Sequence, residues 1–175
     1  MKKLPILIIS ILALTILTGC GKPDLILNDD LLKLEDEGDL STYYNEKYDF
    51  VFAHPSEWNV EESFEKTFPN QAIVLKFQKN DEDKPSDALE FSVYKKMSTE
   101  DLYDEIRDPN VPNPSSGLFT TNHQFTIYNG TEQKSGRQVR RYVLVDGNKA
   151  FVGDLYDVQK EYEDLLLTVL DSFNY

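Results

Sequence analysis

The sequence predicts an α+β domain in which helices flank an antiparallel β-sheet. Several segments alternate apolar and polar residues, as half-buried strands do, and turn-forming residues join them. Two further segments carry apolar residues at helical spacing. The order is strands, helix, strands, helix, without the regular strand–helix alternation that builds a parallel sheet. An antiparallel sheet with packed helices is therefore the expected architecture.

The first twenty residues differ in character from the rest of the chain. Lys2 and Lys3 precede an apolar run over residues 4–17. That run is shorter than the ~20 residues a membrane-spanning helix needs, and small residues and a cysteine follow it. This layout is typical of a cleaved signal peptide, with an uncleaved anchor helix as the alternative.

The end of this stretch resembles the lipobox of bacterial lipoprotein precursors. The matching residues are Leu17, Thr18, Gly19 and Cys20. The resemblance implies that a signal peptidase recognises the first three, that residues 1–19 are removed, and that the Cys20 thiol receives diacylglycerol. The two acyl chains of such a lipid, palmitate among them, would anchor the protein stably, which a single chain would not. We therefore expect the protein on the extracytoplasmic face of the cell membrane, held there by lipid.

Charge and cysteine content limit the other classes of function. The chain has 175 residues, with 18 basic and 31 acidic side chains and a net charge of −13. Such a charge opposes binding to nucleic acid and to anionic headgroups. Cys20 is the single cysteine, so no internal disulfide can form and the domain must be stable through packing alone.

Residues 20–41 are predicted to be an acidic tether, and residues 42–175 the folded domain. Leu27, Leu31 and Leu34 have helical spacing within the tether, which predicts a short helix after Asn28 that Gly38 ends.

In the first half of the domain, alternation predicts a central strand over 48–54, covered on both faces. A Pro55–Trp58 turn follows. Strands over 72–77 and 89–94 form a hairpin around the charged turn 80–87. A helix is predicted from Ser98, with the segment Asp108–Pro109 ending it.

In the second half, residues 109–117 are predicted as a loop, 119–128 as one strand, and Asn129–Gly130 as a turn. A long hairpin follows, with strands over 135–145 and 149–156. The chain closes with an amphipathic helix. Its predicted buried stripe consists of Val158, Tyr162, Leu165, Leu166, Val169, Leu170 and Phe173.

This pattern resembles PsbP/Mog1-like domains. The stretch DFVFAHPSEW at residues 49–58 is similar to their aromatic opening strand, which runs into a proline and then a tryptophan. The hairpin to Tyr94, the helix from Ser98, the hairpin through Arg141 and the closing segment 167–173 also fit. The resemblance implies an antiparallel sheet between helices, an α/β/α sandwich. It also implies docking on protein complexes rather than catalysis, with no catalytic residues and no cofactor to carry over.

One basic cluster interrupts the acidic chain. Its members are Lys134, Arg137, Arg140, Arg141 and Lys149. They are either a hairpin face that needs charge for solubility or a docking patch for an acidic partner.

Two sets of residues are candidates for metal binding. Asp81, Asp83 and Asp87 could hold Ca²⁺, although Pro85 falls where a calcium-binding loop needs a ligand, and a solvated turn is the alternative. His54 and His123 have no third ligand at suitable spacing, which favours hydrogen-bonded structural histidines. Neither accompanies a G-x-S-x-G nucleophile motif.

Taken together, these observations predict a non-enzymatic interaction domain, lipid-anchored outside the cytoplasm, that docks on a protein complex of the cell envelope. The alternative is a lipoprotein that binds a small ligand or a metal ion. A large apolar cavity would favour the alternative, and an exposed charged hairpin would favour docking.

Overall fold

A computed structural model describes residues 23–64, 70–95, 116–120, 122–132 and 135–175. These ranges confirm an α+β fold in which every strand pair is antiparallel. Three predicted features lie outside the described residues: the lipobox, the helix that begins at Ser98, and Lys134 of the basic cluster. The elements, in chain order, are α1 (Asp29–Glu37), β1 (Leu40–Asn45), β2 (Phe50–Pro55), β3 (Trp58–Ser63), β4 (Gln71–Lys79), β5 (Leu89–Lys95), β6 (Ser116–Phe119), β7 (Gln124–Thr131), β8 (Gln138–Asp146), β9 (Lys149–Tyr156) and α2 (Lys160–Ser172).

Seven of the strands form one sheet, in the order β3-β4-β5-β9-β8-β7-β6, and β1 pairs with β2 in a separate sheet. The two predicted hairpins are present. β4 and β5 flank the charged turn, and β8 and β9 pair from Val139↔Tyr156 to Asp146↔Lys149. The second hairpin closes through Gly147, whose φ of 55° favours a residue without a side chain.

One face of the large sheet carries the main core. Alternate strand residues present large aromatic rings to β2 and α2, which lie over this face. Phe50 and Phe52 of β2 approach Phe91 of β5 with ring centroids 6.3 and 5.9 Å apart. Phe173, at the end of α2, packs on Phe151 of β9 at 4.7 Å. These contacts hold the smaller sheet and α2 against the larger sheet.

The aromatic strand β2 is buried on both faces, as predicted, but its predicted place in the centre of the main sheet is wrong. Its neighbours are β1 on one edge and the C-terminal end of the chain on the other. The Ala53 amide donates to Ser172 Oγ at 2.8 Å, and the Val51 amide donates to the Asn174 carbonyl at 2.9 Å. These bonds satisfy a strand edge that would otherwise be buried without partners.

Residues 119–128, predicted as one strand, include the last residue of β6 and the first part of β7, and these two strands pair as a hairpin. The Thr120 amide donates to the His123 carbonyl at 2.9 Å, and the His123 amide donates back to Thr120 Oγ1 at 3.0 Å. The predicted turn at Asn129–Gly130 is also wrong, because both residues belong to β7 and pair with Arg140 and Val139. An Asn-Gly pair favours a turn locally, and strand pairing overrides that preference here.

The closing helix begins two residues later than its predicted apolar stripe. Val158 is 38% exposed, so its assignment to the buried stripe is wrong. Asp157, whose φ is 53°, lies in the short connection between β9 and α2. Four side chains of the predicted stripe within α2 are fully buried: Leu165, Leu166, Val169 and Leu170. Leu166 packs so closely on β9 that a Cβ at Gly153 would lie 2.9 Å from its Cδ1.

The predicted short helix is present as α1, and it packs on the domain. Asn28 accepts bonds from the Asp30 and Leu31 amides, and Gly38 ends the helix with a φ of 80°. The Asn28 side-chain amide also donates to Asp171 at the end of α2. Leu31 is 7% exposed. Residues 29–41 of the predicted tether therefore form a helix and the start of a strand.

Candidate functional site

The predicted basic cluster does not form one surface among the described residues. Arg140 and Arg141 follow one another in β8, so their side chains lie on opposite faces of the sheet. Arg140 pairs with Glu163 of α2, and its Nε donates to Asn129 Oδ1 at 3.1 Å. The sheet itself thus separates two members of the cluster.

The other two members that the structure describes, Arg137 and Lys149, lie at the two ends of the β8–β9 hairpin. Arg137 donates from Nε to Asp157 at 2.8 Å, and its Nη1 lies 3.3 Å from Asp87 Oδ2. Lys149 is at the far end, opposite Asp146 in the register. Arg137 therefore contacts acidic groups of its own chain, at a distance from Lys149.

Arg141 and Asp154 form a buried ion pair on the second face of the sheet. The guanidinium donates from Nε and Nη2 to the two carboxylate oxygens at 2.6 and 2.8 Å. Burial disfavours the charged guanidinium, but the adjacent carboxylate outweighs it and raises the pKa of Arg141. Arg141 and Asp154 are direct register partners, and a bidentate pair of this kind adds geometric specificity to the contact between β8 and β9.

This pair belongs to a row of charged residues that crosses four strands. The register places Lys76 opposite Glu90, Glu90 opposite Asp154, and Asp154 opposite Arg141. Lys76 Nζ lies 3.7 Å from Glu90. Burial raises the pKa of Glu90, the nearby Asp154 adds to the rise, and Lys76 opposes it. The sequence prediction placed Arg141 in the basic cluster and did not include this row, because its members come from four strands that only the folded sheet brings side by side.

The candidate calcium ligands lie in the exposed turn between β4 and β5. Asp81 and Asp83 are exposed, and Asp87 is near Arg137. Among the described residues no three His, Cys, Asp or Glu side chains converge on one point.

The two histidines each pack among aromatic rings. His54 Nδ1 lies 3.1 Å from the Pro55 carbonyl oxygen, and the ring contacts Phe52 edge-on. His123 stacks on Tyr175 with centroids 5.0 Å apart, and its buried Nε2 has no hydrogen-bonding partner within the described ranges. Burial lowers the pKa of both histidines.

An apolar groove lies where α1, β6 and α2 meet. Its volume is about 260 Å³. It is lined by Leu31, Leu118, Phe119, Thr120, Leu167, Thr168 and Asp171. Two larger grooves have charged walls. One of 420 Å³ lies beside Trp58 and Glu161, and one of 750 Å³ lies along the charged turn and Tyr162.

Phe119 stands at the rim of the apolar groove and is 75% exposed. It is the last residue of β6, which is an edge strand of the seven-stranded sheet within the part of the chain that the structure describes. An aromatic side chain so exposed beside an apolar depression is a feature of surfaces that bind another molecule. We therefore take the apolar groove, with Phe119 at its rim, as the candidate functional site.

The sequence prediction missed this groove. Leu167 is not a member of the predicted buried stripe of α2, which is the signal in the sequence that its side chain does not face the core. The predicted strand over 119–128 runs through Phe119 without a break. It therefore does not indicate that Phe119 ends a strand, β6, beside α2.

None of the helices within the described ranges is both long and apolar enough to cross a bilayer.

The chain matches no family model and no curated protein. It is similar to the solution structure of cyanobacterial PsbP (CyanoP) from Synechocystis sp. PCC 6803, with a TM-score of 0.47 and 15% identity over 78% of this chain and 92% of that one. It is also similar to a crystal structure from Bacteroides thetaiotaomicron VPI-5482, with a TM-score of 0.48 and 14% identity over 76% of this chain. The match spans 47% of that second protein.

Proposed function

We propose that this protein is a lipid-anchored, non-enzymatic binding domain on the extracytoplasmic face of the cell membrane, which docks on a protein complex of the envelope. The lipobox residues Leu17 to Cys20 support the anchoring. The observation that carries the docking function is the apolar groove with its exposed rim residue Phe119.

The size of the groove favours a protein partner over a small ligand. Pockets that enclose small molecules have volumes of about 300–1,000 Å³ and bury most of the ligand. The apolar groove, at about 260 Å³, is below that range and open on one side. It can accept one or two apolar side chains of another protein, with Phe119 packing beside them.

Affinity capture tests the docking function. The lipidated protein is isolated from solubilised membranes together with whatever it binds, and Phe119→Ser is compared with the wild type. We expect a partner that co-purifies with the wild type and is depleted in the variant. Phe64→Ser is the matched control, since Phe64 is 64% exposed and does not line the groove. A partner set that is the same in all three samples argues against docking through the groove.

The anchor is tested separately with Cys20→Ala. Without a thiol no diacylglycerol can be attached, so the variant should remain an unlipidated, uncleaved precursor. Metabolic labelling with a radioactive fatty acid measures this. Label retained by the alanine variant would contradict the lipobox interpretation.

A further inference from the structure

We propose that the apolar groove receives a basic, amphipathic segment of a membrane protein, at the point where that segment leaves the bilayer. This inference rests on the proposed lipid anchoring. It adds the chemistry of the partner and the level above the membrane at which the two proteins meet.

The first argument is the short link between the anchor and the folded domain. The Asp24 carbonyl accepts a bond from Asn174 Nδ2 at 2.8 Å, so the chain is attached to the domain from residue 24 onward. Three residues lie between Cys20 and Asp24, which makes four steps along the chain. A chain extends by at most ~3.6 Å per step, so a lipidated Cys20 would lie within about 14 Å of this attachment point.

The groove is at the same end of the molecule. Asp171, which lines the groove, is three residues before Asn174 and accepts a bond from Asn28. Leu31, which also lines the groove, is in the first turn of α1. A domain held this closely by its lipid keeps the groove near the membrane surface. A partner segment that binds the groove must then also lie near the membrane surface.

The second argument is charge complementarity. Residues 23–41, which include α1, contain seven acidic side chains and a single basic one, Lys33. Lys33 is already paired with Asp30 at 2.9 Å. The groove therefore combines an apolar floor with an acidic neighbourhood, which favours a partner with apolar and basic side chains. The same acidity opposes contact with anionic lipid headgroups.

The third argument is the manner in which such a segment can be held. Leu118, Leu167 and Phe119 offer an apolar surface for side chains that repeat at helical spacing. Lysine or arginine on the other face of the segment would then face the acids of α1. Apolar anchors in a pocket with charges at its rim are a common arrangement of a docking interface.

Site-specific photocrosslinking tests this proposal in the full-length, lipidated protein within its own membranes. A photoreactive phenylalanine analogue replaces Phe119, and Phe64 receives the same analogue as the control. Mass spectrometry then identifies the cross-linked residues. We expect adducts at position 119 on a lysine- or arginine-containing apolar segment adjoining a transmembrane helix, several times more abundant than any adduct at position 64. A high-salt wash before irradiation should reduce them, since the attraction is partly ionic.

Each other outcome overturns the proposal. Adducts to lipid would show that the groove faces the bilayer itself. Adducts to an acidic segment, or to a protein without a transmembrane helix, would contradict the partner chemistry. Equal yields at positions 119 and 64 would show that the groove has no occupant. Fatty-acid labelling of the same samples keeps the two questions apart: absence of label refutes the anchoring, whereas label together with lipid adducts refutes the partner segment alone.

Discussion

Arg141 and Asp154 illustrate how single residues act in this fold. Their side chains are 7% and 10% exposed and pair directly across β8 and β9. A charge removed from water costs several kcal/mol unless a partner compensates it, and here each group compensates the other. A buried pair of this kind therefore adds little net stability over apolar residues of the same size, whereas loss of one partner leaves an uncompensated charge.

Removing one partner of this pair should be costly. Asp154→Ala leaves a buried guanidinium without its carboxylate, and we expect a loss of about 3–5 kcal/mol in the free energy of unfolding. The double variant Arg141→Met with Asp154→Leu should lose less, because no uncompensated charge remains. Urea denaturation measures both. Arg137→Gln is the control, since its more exposed ion pairs contribute about 0–1 kcal/mol. A double variant that is less stable than Asp154→Ala would contradict this account.

The histidines should make stability depend on pH. Burial lowers the pKa of His54 and His123 in the folded protein, while in the unfolded chain both have a pKa of about 6.5. The unfolded chain therefore binds more protons as the pH falls below ~6.5, so folding becomes less favourable on the acid side. Urea midpoints measured across this range should fall with decreasing pH.

The substitution His123→Phe tests the contribution of His123 to this pH dependence of stability. His123→Phe keeps an aromatic ring against Tyr175 and cannot take up a proton. The variant should lose less stability than the wild type between neutral and acid pH. An unchanged pH dependence would show that His123 does not contribute to the acid-side loss.

At the scale of elements, α2 packs on the sheet through one defined stripe. Leu166 is fully buried against Gly153, where the glycine leaves room for its side chain. Leu167 is one residue further round the helix, half-buried, and lines the apolar groove. Adjacent leucines thus serve the core and the candidate site separately.

This arrangement predicts unequal effects of two neighbouring substitutions. Leu166→Ala leaves a cavity in the core and should cost about 2–5 kcal/mol. Leu167→Ala should cost less, because its side chain is already partly in water. Thermal melts of the two variants measure the difference. If Leu167→Ala is the more damaging, the helix packs in a different phase.

At the scale of the whole molecule, the N-terminal segment from Asp24 onward is part of the fold. Asn174 holds Asp24, Asn28 caps α1 and contacts Asp171, and the Ser56 amide donates to the Asp39 carbonyl at 2.8 Å. The lipid proposed on Cys20 would therefore be linked to the domain over a much shorter distance than an unstructured tether of residues 20–41 would allow.

Truncation measures the contribution of this segment. Residues 42–175, produced alone, should fold without any cysteine, and hydrogen exchange should detect protected strands. Their melting midpoint should be lower than that of residues 23–175, since the truncation removes buried Leu31 and the first residues of β1. Equal midpoints would show that α1 adds no stability. Absence of protected strands in 42–175 would show that the shorter segment is not a complete folding unit.

Local patterns were sufficient for several elements. The β4–β5 and β8–β9 hairpins were predicted because alternation and turn residues act over a few positions. The ends of α1 followed from Asn28 and Gly38 for the same reason. By contrast, β1 (LSTYYN) and β3 (WNVEES) were missed because they are mostly polar and only partly buried. Both segments are strands because they pair with a neighbouring strand, β1 with β2 and β3 with β4.

The sequence by itself determined the α+β class, the β4–β5 and β8–β9 hairpins and the phase of α2. Each depends on residue types close together along the chain, where side-chain periodicity and backbone preference are decisive. The tertiary structure alone decided that β2 leaves the main sheet, that Arg140 and Arg141 are on opposite faces, and that Leu31, Phe119 and Leu167 share a groove. These depend on contacts between residues far apart in the chain, and only the folded chain brings such residues together.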